Sequence, residues 1–166
     1  NAEQAASVDV PRPDNLAFVT QTTLSVDDTS EIIEILKQRF PNIEAPRRED
    51  ICYATTNRQT AVKELADECQ AIIVLGAPNS SNSNRLAEVA LTVGCPKSIL
   101  IQRAAELEDG WLDNVLTLGI TAGASAPEIL VQELINTLSE HFDLTIEERN
   151  IVEENVTFSL PRALTT

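Results

Sequence analysis

Uninterrupted apolar runs along the chain alternate with stretches whose apolar residues recur at helical spacing. The clearest run lies at residues 71–76, and shorter ones lie at residues 16–21, 51–54, 98–101 and 115–121. Continuous apolar runs of this kind are typical of strands that are buried on both faces of a parallel sheet. We therefore expect these runs to be the strands of the fold.

Helical spacing follows most of these runs. The predicted helices cover residues 25–40, 55–66, 84–93, 104–111 and 127–138. Ser25 is expected to cap the first helix, Thr55 or Thr56 the second, and Pro127 to start the last. Strands that alternate with helices of this length favour parallel α/β units, with a sheet of about four strands after residue 50.

The chain is thus predicted to have an α/β fold, with small parallel sheets flanked by helices. The first residues are polar and contain Pro11 and Pro13, which indicates a tail or linker. The acidic, β-branched end of the chain favours extended segments at residues 145–147 and 155–160. The predicted divisions are a tail or linker (1–14), one unit of a neighbouring sheet (15–50), a complete α/β domain (51–140) and a carboxyl-terminal arm (141–166).

Composition narrows the range of partners. Of the 166 residues, 26 are acidic and 12 are Lys or Arg, which gives a formal net charge of −14. Proteins bind nucleic acids and anionic membrane surfaces through patches of Lys and Arg, so we expect neither as a partner of this acidic chain. No apolar run reaches the roughly 18 residues of a membrane span. The chain begins at Asn1 and contains no Met, so we expect a fragment or a processed piece.

Loops rich in Ser, Thr and Asn follow the predicted strands at residues 21–25, 52–57, 79–84 and 121–125. Ligands of parallel α/β folds bind beyond the carboxyl ends of strands, where helix N-termini offer free N–H groups. Such neutral donors can hold a phosphate or diphosphate despite the acidic composition. Ordinary helix capping explains any single loop. The six successive polar residues at 79–84 exceed what one cap needs.

Three cysteines without a Cys-x-x-Cys pair argue against a disulfide framework and favour a reducing compartment. Cys52 stands at a strand end beside a polar loop, so it is either a thiolate ligand or nucleophile, or a small buried residue. Cys69 and Cys95 lie outside the polar loops and are expected to be buried. We expect His141 and Trp111 to have structural roles.

Several long blocks resemble one known family. They are QTTLSVDDT at 21–29, DICYATTNRQ at 50–59, NSSNSNRL at 79–86, GITAGASAP at 119–127 and EENV at 153–156. In this order they resemble the 4-hydroxy-3-methylbut-2-enyl diphosphate reductases of the non-mevalonate isoprenoid pathway. The resemblance extends from about residue 15 to residue 162, over the carboxyl-terminal half of the family's length.

The resemblance implies a trefoil of three α/β domains around a [4Fe-4S] cluster that three cysteines hold. The implied reaction is the two-electron removal of an allylic hydroxyl, which gives isopentenyl and dimethylallyl diphosphates. Cys52 matches the third cluster cysteine, and Thr22 matches a threonine near the reacting end of the substrate. The side chains that match those holding the diphosphate are Ser80, Ser81, Asn82 and Ser125.

The resemblance also implies what this chain lacks. The other two cluster cysteines, the substrate-facing histidines and the proton-donor glutamate belong to the amino-terminal half, so we expect no catalytic residue here and no activity of this chain alone. Residues 15–50 would complete the middle domain, and residues 141–166 would return to the first. The implied electron donor is a ferredoxin or flavodoxin, in the cytoplasm or a plastid.

Two alternatives to an enzyme half remain open. The chain is a non-catalytic α/β module that binds a diphosphate, or it is a generic nucleotide-binding domain. The second alternative would be supported by a glycine-rich phosphate fingerprint, but the sequence contains neither G-x-G-x-x-G nor a P-loop.

Overall fold

The computed structural model describes residues 1–47 and 50–151. Its elements are α1 (Ala2–Ser7), α2 (Val26–Arg39), α3 (Tyr53–Glu68), β1 (Ala71–Leu75), α4 (Ser81–Thr92), β2 (Lys97–Ile101), a 3-10 turn (Ala104–Glu106), β3 (Leu118–Ala122) and α5 (Glu128–Ser139). Within the described ranges, no helix combines the length and the apolar character needed to cross a membrane.

The three strands form one parallel sheet in the order β2-β1-β3. Ala71 at the start of β1 is in register with Lys97 of β2 and with Leu118 of β3. All five residues of β1 are buried, as expected for a central strand that is covered on both faces. The predicted fold class, a small parallel sheet flanked by helices, is confirmed, although the sheet in the described residues has three strands rather than about four.

The helices cover the two faces of the sheet. Ile72 and Val74 of β1 pack in one apolar cluster with Leu86 of α4. Ile73 and Leu134 belong to a second cluster on the opposite face, against α5. This division follows from the strand geometry, because successive side chains of a strand point to opposite faces. Because the three strands are parallel, their carboxyl ends all lie at the same edge of the sheet.

Four predicted elements are absent or reduced. The run at 51–54 forms no strand, because α3 begins within it at Tyr53. Residues 16–21 form no strand and contribute only an isolated bridge between Ala17 and Glu44, because the described residues contain no further strand beside them. The predicted helix at 104–111 shrinks to a 3-10 turn, since the backbone is already extended at Leu107, with a φ of −73° and a ψ of 117°. The segment at 145–147 is not a strand. Residues 155–160 lie outside the described residues.

The first residues differ from the expected tail. They include α1, which begins with a capping box between Asn1 and Gln4 and buries Ala5. Arg39 at the end of α2 donates hydrogen bonds to the carbonyl oxygens of Ala5 at 2.6 Å and Val8 at 2.8 Å. A helix of one and a half turns with a single buried side chain leaves no helical pattern in the sequence, so composition alone indicated a linker.

Gln59 joins the segment before α2 to α3. Its side chain, 1% exposed, accepts a hydrogen bond from the Val26 N–H at 2.9 Å and donates one to the Leu24 carbonyl at 2.7 Å. Lys63 and Asp27 add an exposed ion pair beside it at 2.6 Å. These contacts fix the loop that precedes α2 against α3. Ser25 is the N-cap of α2, as predicted.

Gln59→Leu should loosen this loop more than any change in the neighbouring ion pair. The substitution leaves the Val26 N–H and the Leu24 carbonyl without a partner, and each buried unpaired group costs about 1–3 kcal/mol. We expect hydrogen exchange of the Val26 amide to accelerate by roughly tenfold or more. The matched control is Lys63→Gln, since an exposed pair contributes about 0–1 kcal/mol. Equal exchange rates in the two variants would contradict the prediction.

Candidate functional site

The amino terminus of α4 lies against the carboxyl ends of β1 and β3. Ser83, in the first turn of α4, is completely buried between Gly76 and Gly123, which directly follow those strands. A Cβ atom added to either glycine would overlap Ser83 Oγ. The two glycines therefore permit a close approach of the helix that no larger residue allows. The run at 79–84, predicted as a loop, is mostly this helix start.

Ser80 is the N-cap of α4. Its Oγ accepts hydrogen bonds from the Ser83 N–H at 3.3 Å and from the Ser83 hydroxyl at 3.0 Å. The Asn84 side chain donates to the carbonyl oxygens of Pro78 at 2.7 Å and of Ser80 at 2.9 Å. These bonds fix the loop that leads into α4. The first N–H groups of a helix, here those of Ser81 and Asn82, have no carbonyl partner within the helix and can donate to a ligand.

Asn82 carries an unpaired buried donor at the same helix start. The residue is 7% exposed, and its Nδ2 has no hydrogen-bond partner. Its Oδ1 accepts a bond from the Thr55 hydroxyl at 3.4 Å, which assigns the amide orientation. Among the described residues, the other unpaired buried side-chain atom is Ser98 Oγ on β2. A buried unpaired amide at a helix N-terminus is expected to meet a ligand that accepts hydrogen bonds.

Cys52 is the N-cap of α3, and its half-buried Sγ lies 3.1 Å from Thr55 Oγ1. Burial raises the pKa of the Cys52 thiol. Hydrogen bonds to the Thr55 side chain and to nearby backbone groups lower this pKa by more than burial raises it, so it lies below its usual value. Cys52 is therefore suited to act as a thiolate. The predicted cap at Thr55 or Thr56 was wrong, because the N-cap is Cys52, three or four residues earlier.

Thr55 connects the cysteine to the α4 terminus. It is 1% exposed, and its hydroxyl contacts both Cys52 Sγ and Asn82 Oδ1. The Cys52 N–H in turn donates to the Thr22 carbonyl at 3.2 Å. Cys52, Thr22 and Asn82 are thus brought together, and cap preferences alone did not indicate that Thr55 connects them.

Ser81 and Ser125 are placed less closely. Ser81 is exposed and lines a cleft of about 270 Å³ together with Thr23 and Arg85. Ser125 is exposed two residues beyond Gly123, in the turn that leads to α5. Both lie at the carboxyl edge of the sheet, without a direct hydrogen bond to the group around Cys52. A larger cavity of about 780 Å³, between β3, α5 and residues 142–151, includes none of the predicted site residues.

The remaining candidates lie elsewhere. Cys69 and Cys95 are buried near the amino ends of the strands, where Cys95 Sγ lies 3.2 Å from the Lys97 carbonyl oxygen. Burial raises the pKa of the Cys69 thiol, and the neighbouring Cys95 and Glu68 raise it further. His141 is exposed after α5, and Trp111 packs against the core on the α5 face. Both buried cysteines therefore have the packing role expected of them.

The site fits an iron–sulfur cluster at one ligand position only. Cys52 offers a partly exposed thiol of lowered pKa, which suits a thiolate bound to iron. In the described part of the chain, no group of three or more His, Cys, Asp or Glu residues could hold a metal ion. Any further ligands of such a cluster must come from residues outside this part.

Comparison with known proteins gives concordant matches. The family model described as LytB protein matches residues 1–139. The 4-hydroxy-3-methylbut-2-enyl diphosphate reductase 1 of Bradyrhizobium diazoefficiens is 58% identical over 161 residues, which cover 97% of this chain and 50% of that protein. The reductase of Gluconobacter oxydans is 56% identical over 164 residues, which cover 99% of this chain and 49% of that protein.

A solved structure agrees with these matches. The E-1-hydroxy-2-methyl-but-2-enyl-4-diphosphate reductase of Plasmodium falciparum superposes with a TM-score of 0.88 at 34% identity, over 99% of this chain and 52% of that one. The chain therefore spans about half the length of the proteins that it matches.

Proposed function

The chain belongs to the LytB protein family, and on this basis we propose that it forms the carboxyl-terminal half of a 4-hydroxy-3-methylbut-2-enyl diphosphate reductase. The reaction replaces the allylic hydroxyl of the substrate by hydrogen. It consumes two electrons and two protons, releases water, and gives isopentenyl or dimethylallyl diphosphate. The names of the relatives and the coverage of about half their length support this proposal.

The single observation that carries the diphosphate site is the unpaired Nδ2 of Asn82 at the start of α4. Ser80, Ser81 and Ser125 supply hydroxyl donors along the same edge of the sheet, next to the free N–H groups of the helix. These groups are neutral, so they bind a diphosphate without Lys or Arg and leave the acidic composition unchanged. Their role is to fix the anionic end of the substrate.

Cys52 is proposed as one of three cysteine ligands of a [4Fe-4S] cluster. When bound, the cluster supplies the two electrons for cleavage of the C–O bond. Backbone hydrogen bonds at residues 54 and 55 favour the thiolate form of Cys52, and the Cys52 N–H fixes the backbone of Thr22. Thr22 is accordingly proposed to lie near the reacting end of the substrate.

The rest of the mechanism is assigned to the amino-terminal half. We propose that it provides the other two cysteines, the histidines that face the substrate, and the glutamate that donates the proton. The electron donor is proposed to be a ferredoxin or flavodoxin. The proposed location is the cytoplasm, or a plastid if the source is a photosynthetic eukaryote.

Asn82→Ala or Ser125→Ala in the full-length reductase should weaken substrate binding and leave the cluster intact. Loss of one hydrogen bond to a charged group costs about 1.5–3 kcal/mol, so the KM should rise roughly tenfold to a hundredfold. Visible absorption and iron content should match those of the unsubstituted enzyme. The controls are Asn136→Ala and Ser139→Ala, which remove the same side chains from α5.

The outcomes separate the competing functions. Unchanged KM values in both site variants would remove these residues from the substrate site. Binding of inorganic diphosphate by a full-length protein that shows no reductase turnover would favour the non-catalytic binding module instead.

A further inference from the structure

Ser83 has a buried hydroxyl that the proposed diphosphate site does not use. We propose that Ser83 is a positioning residue, which makes Ser80 a hydrogen-bond donor only and so adapts it to the oxygen atoms of a diphosphate. This inference rests on the proposed function, because it concerns how the same site recognises its anion. It follows from the direction of two hydrogen bonds.

The first bond has a fixed direction. The Ser83 backbone N–H can only donate, and it donates to Ser80 Oγ at 3.3 Å. This bond occupies one acceptor position of the Ser80 hydroxyl. It is also the capping bond of α4, so it persists as long as the helix keeps its start.

Burial determines the direction of the second bond. Ser83 is 0% exposed, and its Oγ lies 3.0 Å from Ser80 Oγ. In the ranges that the structure describes, the Ser83 hydroxyl has no other acceptor, and Gly76 and Gly123 enclose it on two sides. A buried hydroxyl proton without an acceptor costs free energy, so the Ser83 proton is directed at Ser80.

The consequence concerns the ligand that Ser80 can accept. A serine hydroxyl has two acceptor positions and one proton. The backbone N–H and the hydroxyl of Ser83 fill both acceptor positions of Ser80. The proton of the Ser80 hydroxyl therefore remains available to a ligand. The oxygen atoms of a diphosphate act as acceptors, so Ser80 meets them in the required orientation without first rearranging. A ligand that offers a donor to Ser80 gains nothing.

The space around Ser83 prevents water from taking over this role. Its Oγ occupies a gap between two glycines that an added Cβ would already fill. Ser83→Ala leaves a void of the size of one hydroxyl, which is too small for a water molecule. In that variant the Ser83 proton no longer occupies an acceptor position of Ser80, so the Ser80 hydroxyl can rotate and its proton is no longer fixed toward the ligand.

The test is a double-mutant cycle in the full-length reductase, with inorganic diphosphate as the probe and calorimetry as the readout. Ser83→Ala should weaken diphosphate binding by about threefold to tenfold. Ser80→Ala should weaken it at least as much, and adding Ser83→Ala to Ser80→Ala should cause no further loss. Ser139→Ala serves as the control, with unchanged affinity.

The cycle also separates positioning from packing. Equal weakening by Ser83→Ala in the presence and absence of Ser80 would overturn the proposal, because a change in packing acts without Ser80. Unchanged affinity in Ser83→Ala would overturn it as well. If either result is found while the unsubstituted reductase turns over substrate and binds diphosphate, only the inference about Ser83 fails. If the unsubstituted protein binds no diphosphate, the proposed function itself is contradicted.

Discussion

Replacing Cys52 by serine in the full-length reductase is expected to remove the visible absorption of the iron–sulfur cluster and to abolish turnover. Cys52 is the described cysteine with a partly exposed thiol and a lowered pKa, and the alkoxide of serine does not form at neutral pH. Substitution of groups behind a ligand already costs about 10–100-fold in metal affinity, and loss of the ligand itself should exceed that. Iron content and the visible spectrum measure the result.

The other two cysteines provide matched controls. Cys69 and Cys95 are buried away from the site, so Cys69→Ala and Cys95→Ala should retain the full colour per protein. The 166-residue chain by itself offers one thiolate at this site, and we expect it to retain no cluster. A Cys52→Ser enzyme with unchanged colour would show that Cys52 is not a ligand.

Much of the layered fold was predictable because its signals are local. The apolar run at 71–76 marks the buried central strand, and Ser25 marks the start of α2. The failures concern segments whose structure depends on distant partners. Residues 16–21 look like a strand, yet only Ala17 forms a bridge, to Glu44. Hydrophobicity indicates that a run will be buried, and it does not indicate which strand pairs with it.

The candidate site was partly predictable for the same reason. The polar run at 79–84 marks an unusual helix start, and the structure brings Asn82 of this run close to Cys52. The link through Thr55 was missed because threonine is a better cap than cysteine, and this preference placed the start of α3 too late. The contact between Ser83 and the glycines depends on packing between elements that are distant in sequence.

Substitution of the glycines after β1 and β3, Gly76 and Gly123, should destabilise the protein as much as a substitution in the buried core. A Cβ atom at Gly123 would overlap Ser83 Oγ and would lie 3.3 Å from Ser83 Cβ. A Cβ atom at Gly76 would also overlap Ser83 Oγ, and it would lie 2.6 Å from Ser83 Cβ. Because α4 would have to move away from the strand ends, either substitution by alanine should destabilise the protein by about 1–3 kcal/mol or more.

The two glycines differ in how they can be rescued. Ser83→Ala removes the oxygen that Gly123→Ala would meet, so this double variant should recover most of its thermal stability. The same change should not rescue Gly76→Ala, because the clash with Ser83 Cβ remains, and Ser83→Gly is needed instead. Thermal unfolding of the full-length protein measures both pairs. Equal rescue of both glycine variants by Ser83→Ala would contradict this geometry.

Rescue of stability should not restore diphosphate binding. In the Gly123→Ala, Ser83→Ala protein, α4 regains its place against the sheet, but Ser80 still lacks the hydroxyl that orients its proton. We therefore expect near-normal unfolding temperature together with diphosphate binding weakened about threefold to tenfold, as in Ser83→Ala alone. Affinity that returns fully with stability would mean that Ser83 serves packing only. The glycines thus set the position of the helix, and Ser83 sets the hydrogen bonding of its first residue.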